Sequence, residues 1–375
     1  MEKKFSTRKV FNKAIVILNL IAAAGLFISQ ICNYISPAVF WPASMICLSY
    51  PFLLIINILF VFYWLLQMHR FAFISFIIIL TGYRQLTLVY QLKFKSTDIH
   101  VTDKNSFSVM SFNVRLFDLY NWTGNLKTRA KIFSFLKSEN PHILCFQEYY
   151  TSESQKFKFE NNNSLRQLLK ASNLHVEYST TLQQTQHWGL ATFTAFPIIH
   201  QGRILFKQGQ TNFGIYTDVL IKTDTVRIIN VHLQSNHFKE KEYRFIEAPD
   251  SGSNEEILQS SKSVLKLLKK GAIKRSGQVD SLKKDMAASP YPIILCGDFN
   301  DPPFSYTYSQ LSEKLNDSFL EQGSGTGITL VGTVPFYRID YILHDDLFQC
   351  IDFAVLPVRL SDHRPVMAKF LIREK

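Results

Sequence analysis

No charged side chain occurs between Ala38 and Met68, and that one fact constrains the chain more than any other. A run this long and this apolar is long enough for one tilted helix across a bilayer. Two further blocks flank it. Ala14 to Cys32 supplies about 19 nearly uncharged residues, enough to cross the hydrocarbon core, and follows a basic start carrying Lys3, Lys4, Arg8, Lys9 and Lys13. The third block, Phe71 to Tyr83, stops short at Arg84. It spans only by continuing to Tyr90 with Arg84 buried or snorkelling, and is otherwise re-entrant or interfacial.

The expected membrane region is therefore 1–92, with spans at about 14–32, 40–67 and 71–90. A cleaved signal peptide is the rival for the first block; two more apolar blocks and the want of a small-residue cleavage site favour an uncleaved helix. The basic N-terminus should stay cytoplasmic, and the loop Asn33 to Trp41 has no Lys or Arg. Three spans export everything after Lys93, whereas two keep it inside; three is the preferred count. The chain is expected in a bacterial inner or plasma membrane with its C-terminal domain extracytoplasmic.

A linker at 93–105 leads to a different kind of sequence, in which short apolar runs alternate with polar turns. Strands are expected at Ser108–Phe112, Ile143–Phe146, His175–Ser179, Leu190–Phe193, Gly214–Lys222, Thr225–Leu233, Ile293–Cys296, Arg338–Leu343 and Val366–Leu371. Helical spacing marks Thr128–Ser138, Leu165–Ala171, Asn254–Lys270 (continuing past Gly271 if that glycine is tolerated) and Tyr306–Leu315. Strands interleaved with a few helices predict an α/β (α+β) fold: a four-layer sandwich of two packed mixed β-sheets flanked by helices, behind a helical membrane region. At 375 residues the chain is long enough for both. Its five cysteines form no close pair and no metal-ligand spacing, and Cys145 and Cys296, in apolar strand-like runs, are expected as buried free thiols.

Several of these strands deliver a polar group at the end of an apolar run: Asn113 after Val-Met-Ser-Phe, Glu148 after Leu-Cys-Phe-Gln, His232 in Asn-Val-His-Leu, and Asp298 with Asn300 in Gly-Asp-Phe-Asn-Asp. Asp340 and the pair Asp362-His363 complete the set. Each alone has an ordinary explanation: a strand-end turn at Asn113, a solvated rim at Glu148, a satisfied core histidine at His232, an Asx turn at Asp298. Asp340 could pair with Arg338, and Asp362 could cap a turn. Together they are a poor coincidence. By alternation Asp298 and Asn300 fall on one side of the backbone, where they can address one ligand. Carboxylates with an amide suit a hard ion such as Mg²⁺, with Mn²⁺ as an alternative, and zinc on His232 and His363 is less favoured given the excess of carboxylates. A metal on a phosphoryl oxygen, a carboxylate on water and a histidine on phosphate form one set of tools.

In that order the segments Ser-Phe-Asn-Val, Gln-Glu, Asn-Val-His-Leu, Gly-Asp-Phe-Asn-Asp, Arg-Ile-Asp-Tyr-Ile-Leu and Ser-Asp-His-Arg-Pro-Val resemble the endonuclease/exonuclease/phosphatase superfamily, over Ser106 to Arg373. That superfamily includes deoxyribonucleases, neutral sphingomyelinases and inositol-polyphosphate 5-phosphatases. The resemblance implies hydrolysis of a phosphodiester or phosphomonoester by in-line attack of an activated water. It implies that Glu148, Asn113 and Asp362 hold the metal. Asp298 positions or activates the water, Asn300 steadies it and the phosphate, His363 binds phosphate with Asp340 behind it, and His232 stands near the leaving group. The catalytic domain is then 106–375. Arg115 stands where abasic-site endonucleases carry an acid, which disfavours that substrate.

The formal charge of +11 points to anionic partners. Its densest stretch, Lys262 to Lys284, suits nucleic acid or anionic lipid, or is a solvated helix face. The partners expected are a phosphoester substrate (nucleic acid, phospholipid or a small phosphodiester) and the membrane, with no obligate protein partner. Trp188 belongs either to the rim of the site or to the core. The alternative to an enzyme is an inactive member of the family that binds phosphate or nucleic acid. Transport through the spans is disfavoured by their few ionisable residues.

Overall fold

The computed structural model describes residues 2–92, 106–154, 159–206, 212–332 and 337–373, so the expected linker at 93–105 lies outside the described residues. The N-terminal helices are α1 (Glu2–Ile31), α2 (Pro42–Leu48), α3 (Tyr50–Leu66), α4 (Ala72–Thr81) and α5 (Tyr83–Val89). Phe11–Tyr34 is long and apolar enough to cross a membrane by itself. The other two blocks are bent pairs: α2 and α3 meet at 51° and α4 and α5 at 75°, giving up to three spans if each pair counts as one. The third expected span is thus broken at Gly82, and its second half, α5, turns onto the following domain, where Leu88 joins the core.

Polar side chains hold the bundle together from inside. Asn19 Nδ2 donates to Ser75 Oγ at 2.6 Å, Trp64 Nε1 to Asn19 Oδ1 at 2.9 Å, and Ser75 Oγ to Asn57 Oδ1 at 2.7 Å. Gln30 Nε2 donates to Ile78 O at 2.9 Å and Gln85 Nε2 to Gln30 O at 3.1 Å. These contacts set α4 parallel to α1, with α3 running antiparallel to both.

The second unit comprises β1 (Ser106–Asn113), α6 (Thr128–Glu139), β2 (Ile143–Ser152), α7 (Asn161–Leu168), β3 (Asn173–Leu182), β4 (Gln186–Thr194), β5 (Ile198–Leu205), β6 (Phe213–Ile221) and β7 (Asp224–His232). It continues through α8 (Glu240–Glu247), α9 (Asn254–Ala287), β8 (Ile293–Asp298), α10 (Tyr306–Leu311), β9 (Asn316–Asp317), α11 (Ser318–Gln322), β10 (Asp340–His344), β11 (Phe348–Val355) and β12 (Val366–Ile372). Two six-stranded sheets form, ordered β11-β12-β1-β2-β4-β3 and β5-β6-β7-β8-β10-β9. Both are mixed: β1–β2 and β7–β8 are parallel and the other pairs antiparallel.

Period-2 alternation builds the layers. Val109, Cys145, Ile228, Ile294 and Ile342 point between the sheets. Met110, Leu144 and Phe146 point out beneath α6 and α7, while Ile229, Leu295 and Tyr341 point out beneath α9 and α10. The result is the expected sandwich. Helix α9 does run through Gly271 to Ala287, and a side chain at 271 would collide with Asn236 Oδ1, so glycine there lets the loop after β7 lie against the helix.

The two units share a seam. Gln91 and Gly325 exchange backbone hydrogen bonds of 2.8 and 2.9 Å. Phe304 packs on Tyr50 with ring centroids 5.7 Å apart, in a cluster with Leu26 and Leu54. Tyr337 donates to Leu48 O at 3.4 Å.

Candidate active site

Along each central strand the inward-facing residues change from apolar to polar toward one edge of the sandwich. Val109, Ser111 and Asn113 lie at alternate positions on β1, as do Ile228, Asn230 and His232 on β7, and Ile294, Cys296 and Asp298 on β8. Beneath the edge, Gln147 Nε2 donates to Asn230 Oδ1 at 2.7 Å, and Asn230 Nδ2 donates to Phe146 O and Ala191 O across the sandwich. Neither residue was singled out from sequence, although each directly precedes or lies within a recognised motif. This buried amide layer ties the two sheets together just below the site.

Sheet register then lines up the polar ends. His232 and Asp340 are both register partners of Asp298. His232 Nε2 lies 3.6 Å from Asp298 Oδ2 and 3.9 Å from Glu148 Oε1. From the other sheet, Asn113 Nδ2 donates to Asp298 Oδ2 at 3.1 Å and to Glu148 Oε1 at 3.4 Å, while its Oδ1 accepts from Arg115 N. Asn113 in this arrangement bridges two carboxylates as a donor. His363 Nδ1 bonds Asp340 Oδ2 at 2.9 Å, leaving Nε2 3.7 Å from Asp298. Arg338, the rival partner for Asp340, pairs with Asp317 at 2.6 Å.

Two residues arrive by routes that alternation does not predict. Gln147 faces inward, so Glu148 would face outward on a regular strand. The β2–β4 register slips between Phe146 and Tyr149, Glu148 adopts φ 48°, and its carboxylate turns to Asn113 and His232. Such a backbone costs roughly 1–3 kcal/mol for a residue with a side chain and persists only where its surroundings hold it. The expectation that alternation places Asn300 beside Asp298 is corrected: β8 ends at Asp298, and Asn300 lies in a turn at φ 53°. Its N–H donates to Asp298 Oδ1 at 2.8 Å and its Nδ2 to Leu233 O at 3.0 Å. The Asx turn and the site are the same structure. Gly297, at φ 143°, makes the bend possible, because a side chain there would strike Val231 O.

Asp362 stands at the rim, its Oδ2 3.2 Å from Arg115 Nε. Ser361 Oγ donates to Asn113 O at 2.8 Å and accepts from His363 N, so this unpredicted serine docks the Asp362-His363 segment on the end of β1. Thr329 Oγ1 accepts from Asp340 N at 3.2 Å and steadies that strand end.

Burial sets the electrostatics. It pushes the Asp298 pKa up; the cationic faces of His363 and His232 pull it back only in part, with Asp340 adding to the rise. For His363, burial alone would lower the pKa, but Asp340 and Asp298 outweigh it and hold the imidazole well above its ordinary range.

Among the described residues one cluster brings three ligand-bearing side chains together, and two further carboxylates stand at its margin. Asp298, Asp340 and His363 bring ligand atoms within 4.8 Å of one another, all buried. There the His363–Asp340 hydrogen bond already occupies one ligand atom of each, and a Mg²⁺ ion keeps several waters that a dry pocket does not admit. Glu148 and Asp362, with side chains 36% and 35% exposed, open to solvent and are oxygen donors, so they fit a hydrated hard ion better. Beside them a cleft of about 310 Å³ is lined by Trp188, Leu190, Phe213, Leu116 and His237 together with Glu148 and His232. Trp188 therefore sits at the rim, packed on Tyr150 at 5.0 Å between ring centroids.

Among solved structures, the chain is similar to an endonuclease/exonuclease/phosphatase family protein from Bacteroides thetaiotaomicron, at 15% identity and a TM-score of 0.50, covering 72% of this chain and 95% of that one. The human Nocturnin catalytic domain with bound sulfate anion aligns at 16% identity and a TM-score of 0.49, over 72% and 95% of the two chains. A truncated Caenorhabditis elegans TDP2 aligns at 18% and 0.46, over 71% and 97%. No curated protein matches the chain. Residues 12–89 match a domain of unknown function, DUF8431. Residues 110–363 match the Endonuclease/Exonuclease/phosphatase family, and the chain belongs to that family.

Proposed function

We propose that this protein is a membrane-anchored, divalent-metal-dependent phosphoesterase, with a membrane region at 1–92 and a catalytic domain at 106–375. The observation that carries the reading is the chain of contacts from Asp340 through His363 to Asp298, with His232 and Asn113 converging on the same carboxylate. Asp298, its pKa raised by burial, is the base that orients and deprotonates water, and the Asn300 turn fixes its second oxygen. His363, kept cationic by Asp340, binds the phosphoryl oxygens, and His232 serves the leaving oxygen. Glu148 is the principal residue for Mg²⁺ or Mn²⁺, with Asp362 and Asn113 beside it. An ion held there supplies charge neutralisation to the phosphoryl group.

Both the corner between α1 and α2 and the end of α5 lie against the catalytic domain, opposite the basic N-terminus. That arrangement supports an odd number of crossings and an extracytoplasmic site in a bacterial inner or plasma membrane. The inactive-member reading is favoured by one observation, the Arg115 cation already paired to Asp362. Turnover decides. The full chain in detergent micelles should hydrolyse bis-p-nitrophenyl phosphate with Mg²⁺ or Mn²⁺ and lose that activity in a Glu148→Gln/Asp298→Asn double variant. No hydrolysis of this compound, of DNA or of phospholipids would leave only the binding reading.

A further inference from the structure

We propose that the phosphoester cleaved at this site is the headgroup phosphodiester of an anionic phospholipid still seated in the bilayer, an inference that rests on the hydrolase reading above. The site is held at the edge of the membrane bundle. Phe304, four residues past Asn300, is 3% exposed and lies among Leu26, Tyr50 and Leu54 of the bundle. Four residues reach at most about 14 Å, so Asn300 lies no further than that from the backbone of Phe304, whose side chain is lodged among the bundle helices.

A cationic path joins that edge to the cleft. Trp41 lies in the corner between α1 and α2, where the helices leave the apolar layer, and interfacial tryptophan is the expected residue at such a depth. Lys269 Nζ stands 4.8 Å over the Trp41 ring. One turn beyond the neighbouring Lys270 on α9, Lys274 Nζ reaches Gln234 Oε1 at 3.3 Å, at the start of the loop that carries Ser235 and His237 into the cleft wall. Lys270 and Lys274 lie close enough to His237 to help burial depress its pKa. Arg275, counted with this basic stretch in the sequence, is no part of the surface: it is buried on Asp301 at 3.0 Å and anchors the helix to the loop beyond Asn300. The path therefore runs from Trp41 through Lys269, Lys270 and Lys274 to His237 and His232.

Anionic headgroups suit this row better than a polynucleotide. Each lysine near a charged bilayer contributes attraction to its headgroups. A single-strand groove would interleave aromatic stacking platforms with its cations, and Lys262 to Lys284 contains no aromatic residue. The apolar cleft wall of Trp188, Leu190 and Phe213 accepts the glycerol end of the lipid. In the reaction the water oxygen bonds to phosphorus and one ester P–O bond breaks. The leaving alcohol takes a proton, and a phosphomonoester remains.

The test uses the full chain reconstituted with Mg²⁺ in phosphatidylcholine vesicles containing phosphatidylglycerol. Water-soluble dihexanoyl phosphatidylglycerol, bis-p-nitrophenyl phosphate and plasmid DNA are the comparison substrates. Vesicle phosphatidylglycerol should be cleaved faster than the soluble short-chain lipid at equal concentration. Lys269→Gln and Lys270→Gln should each lower the ratio of vesicle-lipid to bis-p-nitrophenyl phosphate turnover by roughly five-fold, a ratio that a folding defect leaves unchanged. Cleavage of bis-p-nitrophenyl phosphate or plasmid DNA with vesicle lipid left intact overturns the proposal and leaves the hydrolase reading standing. No turnover of any substrate, with Mn²⁺ also tried, removes both.

Discussion

The bundle and the sandwich are built inside out with respect to each other. In the bundle, Asn19, Asn57 and Ser75 are wholly buried while Ile21, Phe52 and Phe62 are more than half exposed. In the sandwich the centre is Val109, Ile228 and Ile294, and its buried polar side chains include the amide layer below the site and the Arg338–Asp317 ion pair. The inversion supports the proposed reading of a lipid-facing bundle and a water-facing domain. Where lipid surrounds the helices, apolar burial gives no advantage and hydrogen bonds between helices supply the specificity. Where water surrounds the domain, apolar burial drives assembly and polar groups are admitted inside only with partners.

The largest expected effect separates chemistry from scaffold. Asp298→Asn or Glu148→Gln should reduce turnover of bis-p-nitrophenyl phosphate by about 10³-fold, with the thermal midpoint of the full chain in detergent unchanged or raised. A comparable loss from Asn57→Leu would break the contrast by giving the bundle a catalytic share. Next comes the buried ion pair of the sandwich. Asp317→Ala strands the Arg338 guanidinium in a dry core and should cost about 3–5 kcal/mol, measured by denaturant unfolding. The matching change in the bundle, Asn57→Leu, should cost about 0.6–2 kcal/mol, because a helix separated in lipid finds other partners for its polar groups. Equal costs in the two halves would show that the bundle behaves as a water-soluble core.

The smallest effect concerns pH. Burial holds the His175 pKa below its ordinary value, and Glu177, 3.8 Å away, offsets this only in part. The unfolded chain therefore binds a proton before the folded one does. Stability from this group is present above the ordinary imidazole pKa of about 6.5 and falls as the pH drops below it. A His175→Gln variant should show a flatter loss of stability between neutral and mildly acidic pH in urea titrations, and an unchanged slope would remove the assignment.

The strand ends were legible because each couples an apolar run to a polar group that the run has no use for, as at Asn113 and Asp298. Edge strands other than β3 were not. β5 and β11 are both edges of their sheets, half exposed and, in β11, bulged between Cys350 and Asp352, so neither alternates cleanly. Glu148 was identified by its motif, yet its direction depends on a bulge that propensity does not encode. Asn300 was assigned to a strand face when a local Asx turn competes more strongly for its backbone. The bend at Gly82 falls close to where the apolar block stops at Arg84, and its direction is set by packing of α5 on the second domain, which composition does not encode.

The backbone pair between Gln91 and Gly325 has a consequence in time. Chains are made from the N-terminus, so the bundle is complete while most of the sandwich is still unmade. Its last helix then waits for a partner far downstream in the chain. Until Gly325 emerges and the second sheet closes, the apolar flank of α5 around Leu88 has no cover. The cover on α5 is therefore in place only once the chain around Gly325 has been made and folded.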